Sequence, residues 1–482
     1  MFATTEYTAN LNRSASTSET ADEPTIITIG ALLPLTGRVA DGGARTMAGA
    51  LALAVEDVNS HPDLLRGKRL EYVFADDSCS ASVGLLAAST MLAPQKRRIS
   101  ALIGPACSDG CETTGFLTKS FNAPQIAFSC VSPLLSDKEK YPTFVRTIGP
   151  YGVMMPGIVA LMKWANWTKI SSIASTANVD SMAADLLRKA VVGASMSLEV
   201  DIRFSPGGFE PADLQRIVVG RLRVVFVLAL SADVAKIALA AHDSGMTNAG
   251  WAWIGVNVPG AEYANTSRID IAKVSLDGWL YIEPTTAAPP QFFDGVRNRS
   301  SLFNVSYRAN EKTHVFAASL YDAVMLFAHA ATVMIDKNES LGDGRSVVAA
   351  MMNVSFDGMT GWVQLDKNGD LRSSTRVMNY ILSPSVGMKS VAVARFDAKT
   401  QQLVTADTSP SIRSTDAFSK IQWPGRSQDT PVDRVAPPQC EPGSSWTDGA
   451  ASACKLCVPG IDYVTPLLVL AACRVHSCHV SL

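Results

Sequence analysis

The chain has almost no net charge with which to hold a polyanion: 42 Lys and Arg stand against 44 Asp and Glu, a formal −2 over 482 residues. No basic cluster is denser than Lys96-Arg97-Arg98, so no nucleic-acid partner is expected. Long apolar runs are missing too. None approaches the roughly 18 residues that read as a membrane-spanning helix, and the nearest, Tyr463 to Cys473, is too short and contains Pro466. The first 24 residues are polar and rich in Ser and Thr, without the positive end and apolar middle of a secretory signal. G-x-S-x-G, the P-loop, H-E-x-x-H and G-x-G-x-x-G are all absent. The chain therefore reads as a non-enzyme with no cofactor.

What is present is a well-cored polypeptide, 47% apolar and 18% charged, long enough for two or three domains. Its nine cysteines fall in two clusters, 79 to 130 and 440 to 478, with no CxxC…CxxC spacing for zinc. Seven N-x-S/T triplets head at Asn12, Asn166, Asn265, Asn298, Asn304, Asn338 and Asn353, against about two or three expected by chance. Clustered cysteines and surplus sequons together fit disulfides in an oxidising compartment. The expected location is the outer face of a cell membrane, with the signal and the membrane segment lying outside this sequence.

Secondary-structure signals alternate. Thr25 to Pro34 (TIITIGALLP) reads as a buried parallel strand, Met47 to Asn59 as a helix, Leu70 to Ala75 as a strand, followed by a helix to about Leu92. Then Ile99 to Ile103 runs into Gly104-Pro105, where Ser108 and Asp109 are placed to cap a helix, and Gln125 to Phe128 is the next strand. From Pro150 the pattern restarts, with strands at 169–174, 198–203, 224–229 and 251–254 and helices between them. Gly278 to Ile282 is a further strand, and Phe316 to Met334 a long apolar helix. Two β-α units of similar size predict two α/β lobes, each a parallel sheet flanked by helices, with ligands taken up outside the carboxyl ends of the strands. DKNGD (Asp366 to Asp370) is read as a hairpin turn, although Asp-x-Asn-x-Asp also opens calcium loops. The boundaries are a disordered leader over 1–24, a ligand-binding region over 25–424, a Pro/Gly-rich linker over 425–439, a small cysteine-rich module over 440–460 and a tail over 461–482. In that module Cys454 and Cys457 read as disulfide partners with Cys440 rather than as a redox or zinc pair. Cys473, His476, Cys478 and His479 have ligand-like chemistry, but no metal site is expected.

GALLPLTG, ALAVEDVNSHPDLL, DDSC, IGPACS, SPLLSDKEKYPTFVRT, LMKWANWTKISSI, LYDAVMLFAHA and FDGMTGWVQLDKNGD follow one another in this order. The series resembles the ligand-binding region shared by natriuretic-peptide, metabotropic glutamate and GABA-B receptors. EDVNS, YPTFVRT and MNVSFDGMTG look nearest to GABA-B, and the resemblance covers about Ile26 to Trp423. It implies a two-lobed, type 1 periplasmic-binding-protein-like fold crossed three times by the chain. Lobe 1 would take about 26–148 and 283–360, and lobe 2 about 149–282 and 361–420. It also implies a Cys79–Cys107 disulfide. Cys111 and Cys130 are then either a second disulfide or two buried thiols.

The resemblance carries over a ligand-binding set as well. Ser108 matches the carboxylate-binding serine after the cysteine, beside Asp109. Val131 stands where a second such serine is found, flanked by Ser129 and Ser132. Ile148 replaces a histidine, Leu230 a tyrosine, Val256 a tryptophan and Phe316 an acid five residues before Tyr321. These losses make GABA an unsuitable ligand. They leave an amino-acid-like or more apolar small molecule, or a non-binding subunit of a heterodimer. The expected function is the ectodomain of a G-protein-coupled, GABA-B-like receptor that dimerises through lobe 1, as homo- or heterodimer. The sensor of a receptor guanylyl cyclase and a soluble binding protein are the alternatives.

Overall fold

The run IITIGALL forms β1 (Ile26–Leu33), buried from Ile27 onward, because it is the middle of a sheet covered on both faces. The computed structural model describes residues 25–433 except 42, 94–98, 230, 257–270, 272–273, 286, 309–310, 373, 384–386, 398–401 and 406–420, together with 444–447 and 453–456. β1 pairs in parallel with β2 (Arg69–Asp76) and β3 (Ala101–Ile103). β4 (Gln125–Ala127) and β5 (Phe144–Arg146) complete a five-stranded sheet of order β2-β1-β3-β4-β5. Helices α1 (Gly37–Asp41), α2 (Gly49–Ser60), α3 (Ala81–Leu92) and α4 (Ser108–Ser120) connect these strands.

The second sheet repeats the order. β6 (Lys169–Ser175), β7 (Ser197–Phe204), β8 (Val224–Leu228), β9 (Ala252–Val256) and β10 (Leu280–Pro284) run parallel as β7-β6-β8-β9-β10. α5 (Met155–Trp164) leads into β6, and α6 (Asn178–Gly193), α7 (Leu214–Val219) and α8 (Ser231–Asp243) lie between the strands that follow. In both halves, therefore, the first and third strands are neighbours, the arrangement that opens a crevice at their carboxyl ends. The architecture is the expected α/β pair of mainly parallel sheets, consistent with the type 1 periplasmic-binding-protein-like fold.

After β10 the chain returns to the first half. α9 (Pro290–Asn298), α10 (Ala317–Asp336), α11 (Gly344–Asn353) and the hairpin β11 (Ser355–Gly358)–β12 (Gly361–Gln364) pack there. α10 is long and apolar enough to cross a membrane, yet 78% of its most apolar stretch is buried. It is the central helix of the first core. Leu365 and Leu371 belong to that core too, so the first half extends past the boundary expected at 360. The chain then crosses back into β13 (Thr375–Ser383), β14 (Gly387–Asp397) and β15 (Gln402–Thr405), which extend the second sheet in antiparallel fashion from β10. This departs from the all-parallel expectation. A short connection suffices for antiparallel neighbours, and no helix separates these strands to signal a βαβ unit.

Cys79–Cys107 and Cys111–Cys130 are both disulfides, with Cα separations of 5.4 and 6.5 Å, so the buried-thiol alternative falls. Asn166, Asn298, Asn304, Asn338 and Asn353 are exposed, as glycosylation would require, while Asn265 lies outside the described residues. β16 (Ser444–Thr447) and β17 (Ala453–Leu456) form a hairpin with Trp446 opposite Cys454; Cys440 and Cys457 fall outside the description.

The Cys111–Cys130 bridge closes a 19-residue separation within a fully buried cluster with Leu135, Tyr141 and Phe144. Replacing both cysteines by alanine is expected to cost about 3 kcal/mol in urea denaturation, from the entropy restored to the unfolded chain.

Candidate functional site

The carboxyl edge of the first sheet is a set of four loops tied to one another by side chains. Asp76, ending β2, accepts the N–H groups of Leu35 and Thr36 from the β1 loop at 2.9 and 3.2 Å and that of Ser78 at 2.8 Å. Asp77 accepts those of Cys79 at 2.8 Å and Ala106 at 3.4 Å, and the Cys79–Cys107 bridge closes the same gap covalently. The aspartates of DDSC thus serve the loop backbone. Gly104, at φ +90°, must be glycine, since a Cβ there would lie 2.5 Å from the Leu32 carbonyl oxygen.

Ser108 opens α4, but the cap position belongs to Cys107, and no side chain caps it. The Ser108 Oγ instead accepts the N–H groups of Val131 and Ser132 at 3.1 and 3.2 Å. It is a buried strut between the loops after β3 and β4, and this corrects the capping expectation. Ser132 is also buried, its Oγ accepting from Leu134 N–H at 3.3 Å. Asp109 is exposed and Ser129 half-buried, and Thr36 of the β1 loop is exposed as well.

The centre of the assembly is Arg146, at the end of β5 and wholly buried. Its Nε donates to Asp370 Oδ1 at 2.6 Å, its Nη1 to the carbonyls of Cys130 and Ser132 at 2.7 and 2.8 Å, and its Nη2 to Ser136 Oγ at 2.8 Å. Ser136 Oγ in turn donates to Asp370 Oδ2 at 2.6 Å. Asp370 sits on the DKNGD segment, a turn in which Asp366 Oδ1 accepts the N–H groups of Asn368 and Asp370 at 2.8 and 3.1 Å. Lys138 lies over the Phe144 ring, 5.5 Å from its centroid, and donates to the Phe144 carbonyl. Desolvation pulls its ammonium down to about 8. The sequence reading places Asp370 in the DKNGD turn and gives Arg146 no role; the visible signal for their pairing is an arginine inside the apolar strand FVR, which cannot be buried without a partner.

The apolar replacements in the expected ligand set are packed rather than open. Val131 and Ile148 belong to the second core, with Tyr151, Met154 and Met155. Phe316 packs against both cores. His314 positions it, accepting the Phe316 N–H at Nδ1 (3.3 Å) with the rings edge to face at 5.0 Å. Desolvation lowers that imidazole to about 4, so it stays neutral. Tyr321 points away into the first core and donates to Asp57 Oδ2 at 2.8 Å. Its neighbour Asp322 accepts from Met359 N–H and Thr360 N–H at 2.7 and 2.8 Å and from Thr360 Oγ1 at 2.5 Å, fixing the β11–β12 turn. Leu230 lies outside the described residues; Val256 ends β9, and only its backbone is described.

In comparisons with known proteins, the model described as "Receptor family ligand binding region" matches residues 46–383. Guanylate cyclase 32E of Drosophila melanogaster is 24% identical over 398 residues, covering 79% of this chain and 33% of that protein. The resact receptor of Arbacia punctulata is 24% identical over 373 residues, 67% of this chain and 37% of the receptor. Glutamate receptor 3.4 of Arabidopsis thaliana is 20% identical over 398 residues, with coverages of 75% and 40%. The chain thus spans about a third to two-fifths of the length of these relatives. Their names are those of a guanylate cyclase, a resact receptor and a glutamate receptor, not the GABA-B name that the motifs favour.

Two outcomes follow from this geometry. Asp370→Ala strands the Arg146 charge in the interior and is expected to lower stability by about 3–5 kcal/mol, read by chemical denaturation. Burial also raises Asp77 and Asp322 to about 6 and Asp180, in the second half, to about 7, each from an ordinary 3.8. The folded chain holds protons there that the unfolded chain releases, so their contribution to stability is complete below about pH 4 and is lost as pH rises through about 6 to 7. In denaturation series between about pH 5 and pH 8, Asp180→Asn should flatten that loss.

Proposed function

Because the chain belongs to the receptor family ligand binding region, we propose that it is the extracellular sensor of a cell-surface receptor with a guanylyl-cyclase output. The observation that carries this reading is the family match over residues 46–383 together with relatives named as a guanylate cyclase and as the resact receptor. A ligand taken between the carboxyl edges of the two sheets favours whichever lobe arrangement it touches more extensively, and so shifts the population toward closure. The exposed sequons support the extracellular placement. The G-protein-coupled, GABA-B-like output is the less favoured reading. Val131, Ile148 and Phe316 lie among apolar side chains, so those positions offer no amino acid the carboxylate and ammonium contacts it needs.

The partner face of such a sensor is the pair α3–α4. α3 (ASVGLLAASTML) has no charged residue and exposes Val83, Leu85 and Leu86; α4 adds Phe116, and Phe121 follows it. A second receptor chain covering this face would give the dimer expected through the first lobe. Leu86→Glu is then expected to shift the chain from dimer to monomer in light scattering after size exclusion, and a dimer that survives it places the contact elsewhere. For the output, residues 25–433 grafted in place of the ligand-binding region of a receptor guanylyl cyclase should make cyclic GMP production depend on a ligand that stabilises the chain. Production that ignores such a ligand contradicts the cyclase reading.

A further inference from the structure

The hairpin β11–β12 holds a tryptophan out in solvent. Phe356 and Val363 belong to the first core, so the alternation of a strand sends their neighbours Asp357 and Trp362 to the opposite face. The ladder pairs Asp357 with Trp362 and Ser355 with Gln364. Phe356 is stacked on His329 with the ring centroids 4.6 Å apart, and Asp322 fixes the turn. A slip in register that buried Trp362 would expose Val363. Trp362 is therefore left 57% exposed, whereas Trp167, Trp253, Trp279 and Trp423 are fully buried.

The same face carries a sequon. Asn353 ends α11, Val354 turns the chain into β11, and Ser355 supplies the hydroxyl of Asn353-Val354-Ser355. Exposure alternates along this stretch: Asn353, Ser355 and Asp357 are exposed, Val354 is half-buried and Phe356 buried. Ser355 lies diagonally across the ladder from Trp362, within reach of a large side chain, and Asn353 stands two residues further along the same side. The Asn353 Nδ2 donates to the Ala349 carbonyl at 2.8 Å. An amide nitrogen has two hydrogens, so this bond survives the replacement of the other by a sugar and keeps the amide in place.

We propose that Asn353 carries an N-linked glycan whose first sugars lie over Trp362. This uses the extracellular placement proposed above and goes beyond it, giving the outer face of the hairpin an occupant. The amide nitrogen forms a bond to C1 of an oligosaccharide held on a lipid diphosphate. The C1–O bond to the diphosphate breaks, the amide gives up one proton and the lipid diphosphate leaves. The side of a pyranose ring that presents its axial C–H groups is apolar and lies flat on the negative π-face of an indole. Tethering makes that contact intramolecular, so a weak stack suffices to populate it. A second protein chain is the poorer occupant, because Trp362 is surrounded on this face by the polar Ser355, Asp357 and Gln364, and a glycan on Asn353 would hold such a chain away.

The test uses the full chain exported from animal cells behind an added signal sequence, with its glycans intact. Mass spectrometry of proteolytic peptides should find Asn353 occupied. Acrylamide quenching of tryptophan fluorescence then reads the contact, Trp362's share being the part that Trp362→Ala removes. A sugar covers the outward face of the ring, so that share should be about twofold larger in Asn353→Gln than in the glycosylated chain. Equal quenching in the two, or an Asn353 found bare while other sequons carry sugar, overturns the proposal and leaves the receptor reading standing. A chain bare at every sequon removes the extracellular placement with it. A Trp362→Ala chain that changes its oligomeric state assigns the face to a protein partner and likewise overturns the proposal.

Discussion

A single buried ion pair organises the first half of the molecule. Arg146 and Asp370 are 224 residues apart in sequence, yet they meet at 2.6 Å with neither exposed. Each of the guanidinium's remaining bonds goes to a different part of the loop after β4 or to Ser136. The last strand of the first sheet, the loop carrying Cys130 to Ser136 and the segment by which the chain leaves the first half for the last time are therefore fixed together. Such a pair adds little net stability over an apolar replacement, but it imposes one geometry, because any other arrangement leaves a charge unpaired in the interior. It stands where the two halves join. Ile148, two residues beyond Arg146, is already part of the second core.

The wall next to that pair is stiff. Two disulfides, the Asp76 and Asp77 acceptors and the Ser108 strut leave the loops after β1 to β4 few independent motions. A sensor that works by closing needs one rigid jaw and a second jaw able to approach it. Among the described residues no disulfide braces the second sheet's edge; both bridges lie in the first half. The joint between the halves is apolar, with Val131, Ile148, Tyr151, Met154 and Phe316 sharing contacts, and the Tyr151 N–H donates to the Val131 carbonyl oxygen within it at 3.1 Å.

How much of this the sequence discloses follows from the range of each interaction. The alternation of strands and helices is local, so β1, β2, β6 and β8 and their helices are readable within a residue or two. The Cys79–Cys107 pairing is legible through the family motifs. The side-chain geometry is not, because it depends on partners distant in the chain: Ser108 has the composition of a cap, but Val131 and Ser132, more than twenty residues on, claim its oxygen. Ile148 and Phe316 were recognisable as departures from a receptor pattern, yet only the packing reveals that they seal the joint instead of lining open space. β13 to β15 escape the sequence pattern because nothing helical separates them.

The central claim is that the two halves close on a ligand. Small-angle X-ray scattering of the full chain, with and without a compound that raises its unfolding temperature, tests it most directly. The account predicts a smaller radius of gyration in the bound state, with intermediate concentrations fitted as a mixture of two shapes. A bound, stabilised chain whose scattering curve is superimposable on that of the free chain would contradict it.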